Sequence, residues 1–323
     1  MLKIRLLNAT HVHQLLTVDQ CIRLMHRAFE MAATGETILP IRQVLRTPDG
    51  RGLLGWMPGY IANPQWLGIK VISVYPENFG TSLGSHQGMV LMFDTRNGAP
   101  VAALDARAIT AIRTAAATAA ATDVLAPADV HSLALFGYGE QAHTHLDALL
   151  RVRSFEVIWV WGRSFERARQ FAARCAGERG VRVVALAEAR AAAQADVICT
   201  VTAASEPFLR GAWLRPGQHL NLVGSSVPTA AEADEQTIAR GRVFVDSREN
   251  ALALAGELVR GQKPASVAGC VGDVIRGAVS ARQAPSDITI FKSVGMACED
   301  LLAADFLCSE AARLDVGVLV EWS

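Results

Sequence analysis

The sequence predicts an α/β protein in which a doubly wound parallel sheet follows a smaller α+β region. Three observations carry this. From Leu133 onward, short apolar runs alternate with helix-like runs. Between Ile41 and Asp94 the pattern is β-like and punctuated by Pro, Gly and Asn. Residues 131–142 read His-Ser-Leu-Ala-Leu-Phe-Gly-Tyr-Gly-Glu-Gln-Ala, a buried strand entering a Gly-x-Gly-x-x-Ala turn and then a helix.

The elements follow in order. Thr17 and Gln20 form a capping box for an amphipathic helix through Ala33, with Cys21, Leu24, Met25, Ala28, Phe29 and Ala32 on one face and Gly35 after it. Strands are expected at residues 42–45, 52–57, 66–75 and 88–93, and Asn97-Gly98 marks a hairpin turn. Residues 106–125 form a long alanine-rich helix suited to close packing, ended by Ala126-Pro127-Ala128. Seven strands of the parallel sheet then start near Leu133, Val157, Arg182, Val197, His219, Arg242 and Asp287. The tail from Met296 to Leu319 is partly helical, has no sheet of its own, and is expected to return to the first region. The expected domains are 1–127 with 300–323, and 128–299.

Composition narrows the function classes. Half of the 323 residues are hydrophobic and the formal net charge is zero, which gives no electrostatic basis for binding nucleic acid or an anionic membrane. No apolar run is long enough to span a bilayer, and the N-terminus has no signal-peptide core. The six cysteines form no C-x-x-C pair, which fits reduced thiols in the cytoplasm. The eight histidines form no cluster with metal-ligand spacing, so no metal is expected.

The glycine turn points to a dinucleotide cofactor on a Rossmann-type sheet. Gly137 turns the chain, Gly139 lets the backbone approach a pyrophosphate, and Ala142 lets helix and strand pack closely. Glu140 and Gln141 open the helix, whose first N–H groups face the anion. The second strand ends in Gly162-Arg163-Ser164, with Arg167 one turn later. An NAD(H) site usually places a carboxylate there for the ribose hydroxyl. Here Gly162 removes it, while Arg163, Ser164 and Arg167 suit a 2′-phosphate, so NADP(H) is expected in preference to NAD(H). Arg163 also fits a solvated loop residue. Thr202, Val223 and Ser225 lie past the carboxyl ends of strands, where such sheets bind ligands.

Several blocks occur in an order that resembles the ornithine cyclodeaminase and mu-crystallin family. They are Gly68-Ile-Lys70, Thr110-Ala-Ile-Arg113-Thr114-Ala-Ala, the Gly137 turn, Asn221-Leu-Val-Gly224-Ser225-Ser226, Val245-Asp246-Ser247 and Phe291-Lys292-Ser293-Val294-Gly295. The resemblance covers nearly the whole chain and implies a homodimer joined through the N-terminal sheet domain, with a nicotinamide cofactor on the second. Ser85-His86-Gln87, Thr200-Val-Thr202, Ser205-Glu206-Pro207 and the stretch 211–225 resemble the mu-crystallin-like ketimine reductase branch. The cyclodeaminase branch carries acidic residues at the positions of Gly55 and Ser226. Glycine cannot pair a distal ammonium and serine cannot act as a carboxylate base, so cyclodeamination is disfavoured.

A reductase of C=N bonds beside a carboxylate needs a cationic clamp for that carboxylate. Lys70, in the apolar run 66–75, fits a snorkelling strand-end lysine on its own; the resemblance makes it the leading substrate contact. Arg42 supplies a second arm by its fork geometry, and its other reading is an exposed strand residue. Arg113 and Thr114 lie, by resemblance, where substrate and cofactor meet. His86 is either a polar contact to the substrate or proton donor, or a loop histidine bonded to backbone. By resemblance Ser293 reaches the nicotinamide end, and Ser226 lies near the reacting carbon, in a catalytic role that orients it or holds a water. Trp56, Met57, Tyr60 and Tyr75 are candidates to line the side-chain pocket. The resulting expectation is an NADPH-dependent reductase of α-imino acids, cyclic or linear. An alanine-type dehydrogenase and a mu-crystallin-like ligand-binding protein are the alternatives.

Overall fold

The computed structural model describes residues 2–78, 81, 83–261 and 266–322. The chain divides into two compact units, one reaching Thr114 and resuming at Met296, the other Ala115–Gly295. The cut falls inside the alanine-rich helix, ahead of Pro127.

The first unit begins with β1 (Lys3–Leu7), α1 (Ala9–Leu15) and α2 (Val18–Thr34). The expected capping box starts α2: Thr17 accepts from the Gln20 N–H, and Gln20 accepts from the Thr17 N–H. Gly35 ends it in the left-handed region at φ 77°. Strands β2 (Thr37–Ile38), β3 (Gln43–Arg46), β4 (Leu53–Ala62), β5 (Gln65–Val74), β6 (His86–Asp94) and β7 (Pro100–Asp105) follow, then α3 (Ala106–Leu125). β4 to β7 form an antiparallel meander, and β1 lies parallel beside β7. The Asn97-Gly98 turn joins β6 to β7, with Gly98 at φ 74°.

The second unit carries β8 (Ser132–Phe136), α4 (Glu140–Val152), β9 (Val157–Trp161), α5 (Phe165–Arg179), β10 (Arg182–Ala185), α6 (Ala189–Ala192), β11 (Val197–Thr200) and β12 (His219–Leu222). It continues through α7 (Glu235–Arg240), β13 (Gly241–Val245), α8 (Arg248–Leu254), α9 (Gly256–Val259), β14 (Val267–Cys270), α10 (Val271–Ile275) and β15 (Ile288–Lys292). The sheet order is β10-β9-β8-β11-β12-β15-β13-β14, and every pairing is parallel. Leu133 and Leu135 join one apolar core while Ala134 and Phe136 join another, so helices cover both faces.

The tail forms α11 (Ala297–Leu314) and β16 (Val318–Glu321). β16 pairs antiparallel with β1 and so extends the first sheet, which the sequence did not suggest. α11 lies very close to that sheet. A Cβ on Gly59 would sit 2.7 Å from the Ala297 Cβ, and one on Gly68 would collide with Leu301. These two glycines let the N-terminal part of α11 approach β4 and β5.

Candidate functional site

That close approach creates a buried charge cluster in the first unit. Lys70 is opposite Met57 on β4 and Val90 on β6, on the face toward α11, and only 4 % exposed. It is therefore no snorkelling surface residue. Its Nζ lies 2.8 Å from Asp300 Oδ2. Arg113, equally buried, donates from Nε to Asp300 Oδ1 at 3.0 Å and from Nη1 to Glu299 Oε2 at 2.7 Å. Burial, and then the Arg113 charge, push the Lys70 pKa down to about 8, against the pull of Asp300. Burial alone would raise the Asp300 pKa, but Arg113 and Lys70 hold it below the usual carboxylate value. Sequence reasoning missed Glu299 and Asp300. Their signal is two adjacent acids in the first turn of a helix that is otherwise buried there.

The other candidates of this unit lie at separate places on it. Arg42 is half-buried just before β3. His86 starts β6 opposite Val74, four ladder positions from the Lys70–Val90 pair, or about 13 Å along the strand. Its Nδ1 lies 2.9 Å from Ser85 Oγ. Thr114 ends the unit one residue after Arg113. Gly55 is opposite Ile72, on the Lys70 face, and a Cβ there would meet nothing nearer than 3.8 Å. Packing alone therefore does not demand glycine at 55. Met57 shares the Lys70 face, but Trp56 and Tyr60 alternate to the opposite one. They cannot line a pocket around Lys70 of the same chain.

In the second unit the glycine turn leads β8 into α4. Gly137 sits at φ 126°, and a Cβ there would be 2.8 Å from the Val201 carbonyl. Gly139 is the N-cap of α4, which has no side-chain cap. A Cβ on Gly139 would meet nothing within 4 Å, so protein packing gives no reason for glycine there. Beside it, Gln141 Oε1 is buried without a hydrogen-bond partner among the described residues, and Glu140 is the first helical residue. Open space at 139, an uncapped helix start and an orphaned polar atom fit a pyrophosphate.

The β9 end has a cause that sequence reading did not supply. A side chain at Gly162 would strike the Tyr138 ring, and the Arg167 guanidinium lies over that ring at 5.0 Å. Packing against Tyr138 is thus by itself a reason for glycine at 162. Ser164 Oγ caps α5 by accepting from the Arg167 N–H at 3.3 Å, and Arg163 is exposed.

At the carboxyl edge of the sheet, buried acids fix the loops. Glu232 Oε1 accepts from Thr202 N and Thr202 Oγ1, each at 2.7 Å. Its Oε2 accepts from Thr200 Oγ1 at 2.6 Å and Gly224 N at 2.7 Å. The Thr202 hydroxyl, which also accepts from Ala204 N, thus has its proton committed to Glu232. Val223, half-buried, follows β12. Ser225 Oγ donates to Ala230 O, and its carbonyl accepts from Lys292 Nζ at 2.6 Å. Ser226, half-buried, comes next. Asp246 Oδ2 accepts from Ser293 Oγ at 3.4 Å and from the N–H groups of Val294 and Gly295. Sequence reading had no role for Glu232, or for Glu257, which pairs with Lys292 at 3.0 Å; a lysine ending a buried strand, Lys292, was the available signal. Among the described residues no His, Cys, Asp and Glu group could hold a metal, and no helix is long and apolar enough to cross a membrane.

The model of the "Ornithine cyclodeaminase/mu-crystallin family" matches residues 3–313. The ketimine reductase mu-crystallin of Mus musculus is 40 % identical over 276 residues, 85 % of this chain and 86 % of its own. A Δ1-pyrroline-2-carboxylate reductase of Bacillus cereus is 33 % identical over 98 % of this chain and 99 % of its own. The Thermococcus litoralis Δ1-pyrroline-2-carboxylate reductase, solved with NADH and L-proline, superposes with a TM-score of 0.93 at 31 % identity, covering 98 % and 99 % of the two chains.

Proposed function

The chain belongs to the ornithine cyclodeaminase/mu-crystallin family, and from that premise we propose that it is an NAD(P)H-dependent reductase of α-imino acids. The observation that carries this reading is the buried Lys70–Arg113 pair with glycine, not an acid, on the same face at position 55. Relatives covering the chain end to end are named as pyrroline-2-carboxylate reductases, one solved with its nicotinamide cofactor. Substrates are α-imino acids such as pyrroline-2-carboxylate and piperideine-2-carboxylate.

Lys70 and Arg42 hold the substrate carboxylate, and Arg113 contributes to substrate, cofactor phosphates or both. Asp300 and Glu299 fix the two buried cations, so little side-chain entropy is lost at docking. Gly137, Gly139, Glu140 and Gln141 hold the cofactor pyrophosphate on the α4 N-terminus. Arg163, Ser164 and Arg167 hold a 2′-phosphate, which gives NADP(H) preference over NAD(H). Thr114, Thr202, Val223, Ser225 and Ser293 complete the cofactor contacts, Thr202 through its backbone. The bound cofactor supplies a hydride to the imine carbon. Ser226 orients the reacting centre, and His86 is left as a polar contact of the loop.

The protein works as a homodimer in the cytoplasm. Leu54, Leu67 and Met89 lie exposed on the sheet face opposite Lys70, an apolar face suited to a second copy. The six cysteines are free.

The test is NADPH oxidation over a panel of cyclic and linear imino acids, with NADH in parallel. Turnover of a cyclic imino acid with preference for NADPH is expected. Activity only with pyruvate and ammonia would instead identify an alanine-type dehydrogenase. Tight NADPH binding without any oxidation would identify a ligand-binding protein.

A further inference from the structure

The carboxyl edge of the parallel sheet holds more buried charge than its loops need. Glu232 bridges the ends of β11 and β12 through Thr200, Thr202 and Gly224. Glu257 accepts from the Glu232 N–H at 2.9 Å and pairs with Lys292, the last residue of β15, at 3.0 Å. Asp246, one residue past β13, binds the Ser293–Gly295 loop. β11, β12, β15 and β13 are consecutive neighbours in the sheet, so these groups share one edge about 15 Å wide. Glu232 and Lys292 are fully buried, Asp246 is 2 % exposed and Glu257 5 % exposed.

Two of these buried carboxylates, Glu232 and Glu257, are set against one buried ammonium, that of Lys292. Fastening loops does not require that. A buried ionic group costs several kcal/mol to desolvate, and apolar replacements of such groups are often as stable. Two obligate backbone donors, Thr202 N–H and Gly224 N–H, one on each oxygen, favour the ionised form of Glu232. Gly224 is glycine because a Cβ there would strike the Glu232 carboxylate. Burial holds the Glu232 pKa above the ordinary carboxylate value, although Lys292 and the threonine donors pull it down.

We propose that this edge is a net-anionic field directed at the nicotinamide end of the cofactor, with Glu232 as a positioning residue that favours the oxidised ring. This rests on the cofactor reading above. An oxidised nicotinamide ring carries a positive charge and the reduced ring does not, so a fixed negative field stabilises the oxidised state selectively. Bound NADPH is thereby made a stronger hydride donor. The field is preorganised, because every acid at this edge is already fixed by protein donors.

The experiment measures dissociation constants of NADPH and NADP+ separately, by quenching of protein fluorescence and by calorimetry, for the wild type and Glu232→Gln. Circular dichroism and Tm report whether the variant is folded. The proposal expects NADP+ binding to weaken more than NADPH binding, the ratio changing on the order of tenfold. Equal weakening of both, which a loosened loop would produce, overturns it, as does no change in either. Failure of the wild type to bind either nucleotide would instead overturn the cofactor reading. If Glu232→Gln does not fold, Asp246→Asn removes a charge from the same edge and is expected to shift the ratio in the same direction.

Discussion

The first unit and the second each bury a cluster of charges, and they balance them differently. In the first, Lys70 and Arg113 face Asp300 and Glu299, two cations against two acids. In the second, Lys292 pairs with Glu257 and also attracts Glu232, and the oxygens of Glu232 and Asp246 accept from backbone and hydroxyl donors. A balanced cluster gives rigid cations whose geometry suits a carboxylate. An acid-rich cluster gives a field that suits positive charge. The same device, a buried carboxylate, thus fixes donors in one unit and sets potential in the other.

The largest expected effect comes from breaking the balanced cluster. Asp300→Ala leaves Lys70 and part of Arg113 buried without their counter-charge, and should cost about 3–5 kcal/mol of stability. Thermal unfolding checks this; a Tm equal to wild type would mean that the cluster is not buried as described.

Acid sharpens the comparison from the other side, because the second unit also buries two neutral histidines. Burial first of all pushes His219 down to about 3 and His145 down to about 4. Both folded values lie below the unfolded value of about 6.5. The unfolded chain therefore binds more protons as pH falls, and stability present above about pH 6.5 is lost progressively toward pH 4. The slope is about 1.4 kcal/mol per pH unit for each histidine. Unfolding followed between pH 7 and 5 should show this loss, and His145→Gln should lessen it; a flat profile would contradict the burial of both rings.

Lys70→Met tests the clamp without adding a polar group. Losing one charge-assisted contact should raise the KM for the imino acid about 10- to 100-fold and leave NADPH affinity near wild type. An unchanged KM would remove Lys70 from the clamp.

Two glycines of one turn separate structure from ligand. Gly137→Ala should destabilise the fold, because φ is 126° and Val201 blocks the Cβ. Gly139→Ala should leave Tm unchanged and weaken cofactor binding, since only a ligand would meet its Cβ. Equal cofactor affinity in that variant would contradict the pyrophosphate site. The smallest expected effect is Arg167→Ala, which should weaken NADPH by roughly tenfold while leaving NADH unchanged; equal loss for both nucleotides would place Arg167 outside the 2′-phosphate site.

The parallel sheet was legible because its strands are continuous apolar runs buried on both faces, and β9 falls on the expected residues 157–161. β7 was not, because Pro-Val-Ala-Ala-Leu-Asp has low strand propensity and becomes a strand through pairing with β6 and β1. β14 is four residues long and contains Gly269, and pairing with β13 makes it a strand. The cations of the candidate site were legible, since lysine and arginine in apolar runs call for partners. The partners were not. Asp300 lies 230 residues from Lys70 in sequence, and its contact depends on Gly59 and Gly68 admitting α11. Glu232 sits in a loop, with nothing local to show that its oxygens fasten two strand ends.

The central claim is that Lys70, Arg113 and the Gly137 turn serve hydride transfer to an α-imino acid. Steady-state oxidation of NADPH with pyrroline-2-carboxylate, with L-proline identified as product, tests it most directly. The account predicts turnover that saturates in the imino acid and is lower with NADH. Absence of turnover with pyrroline-2-carboxylate, piperideine-2-carboxylate and linear imino acids alike, in a folded protein that binds NADPH, would contradict it.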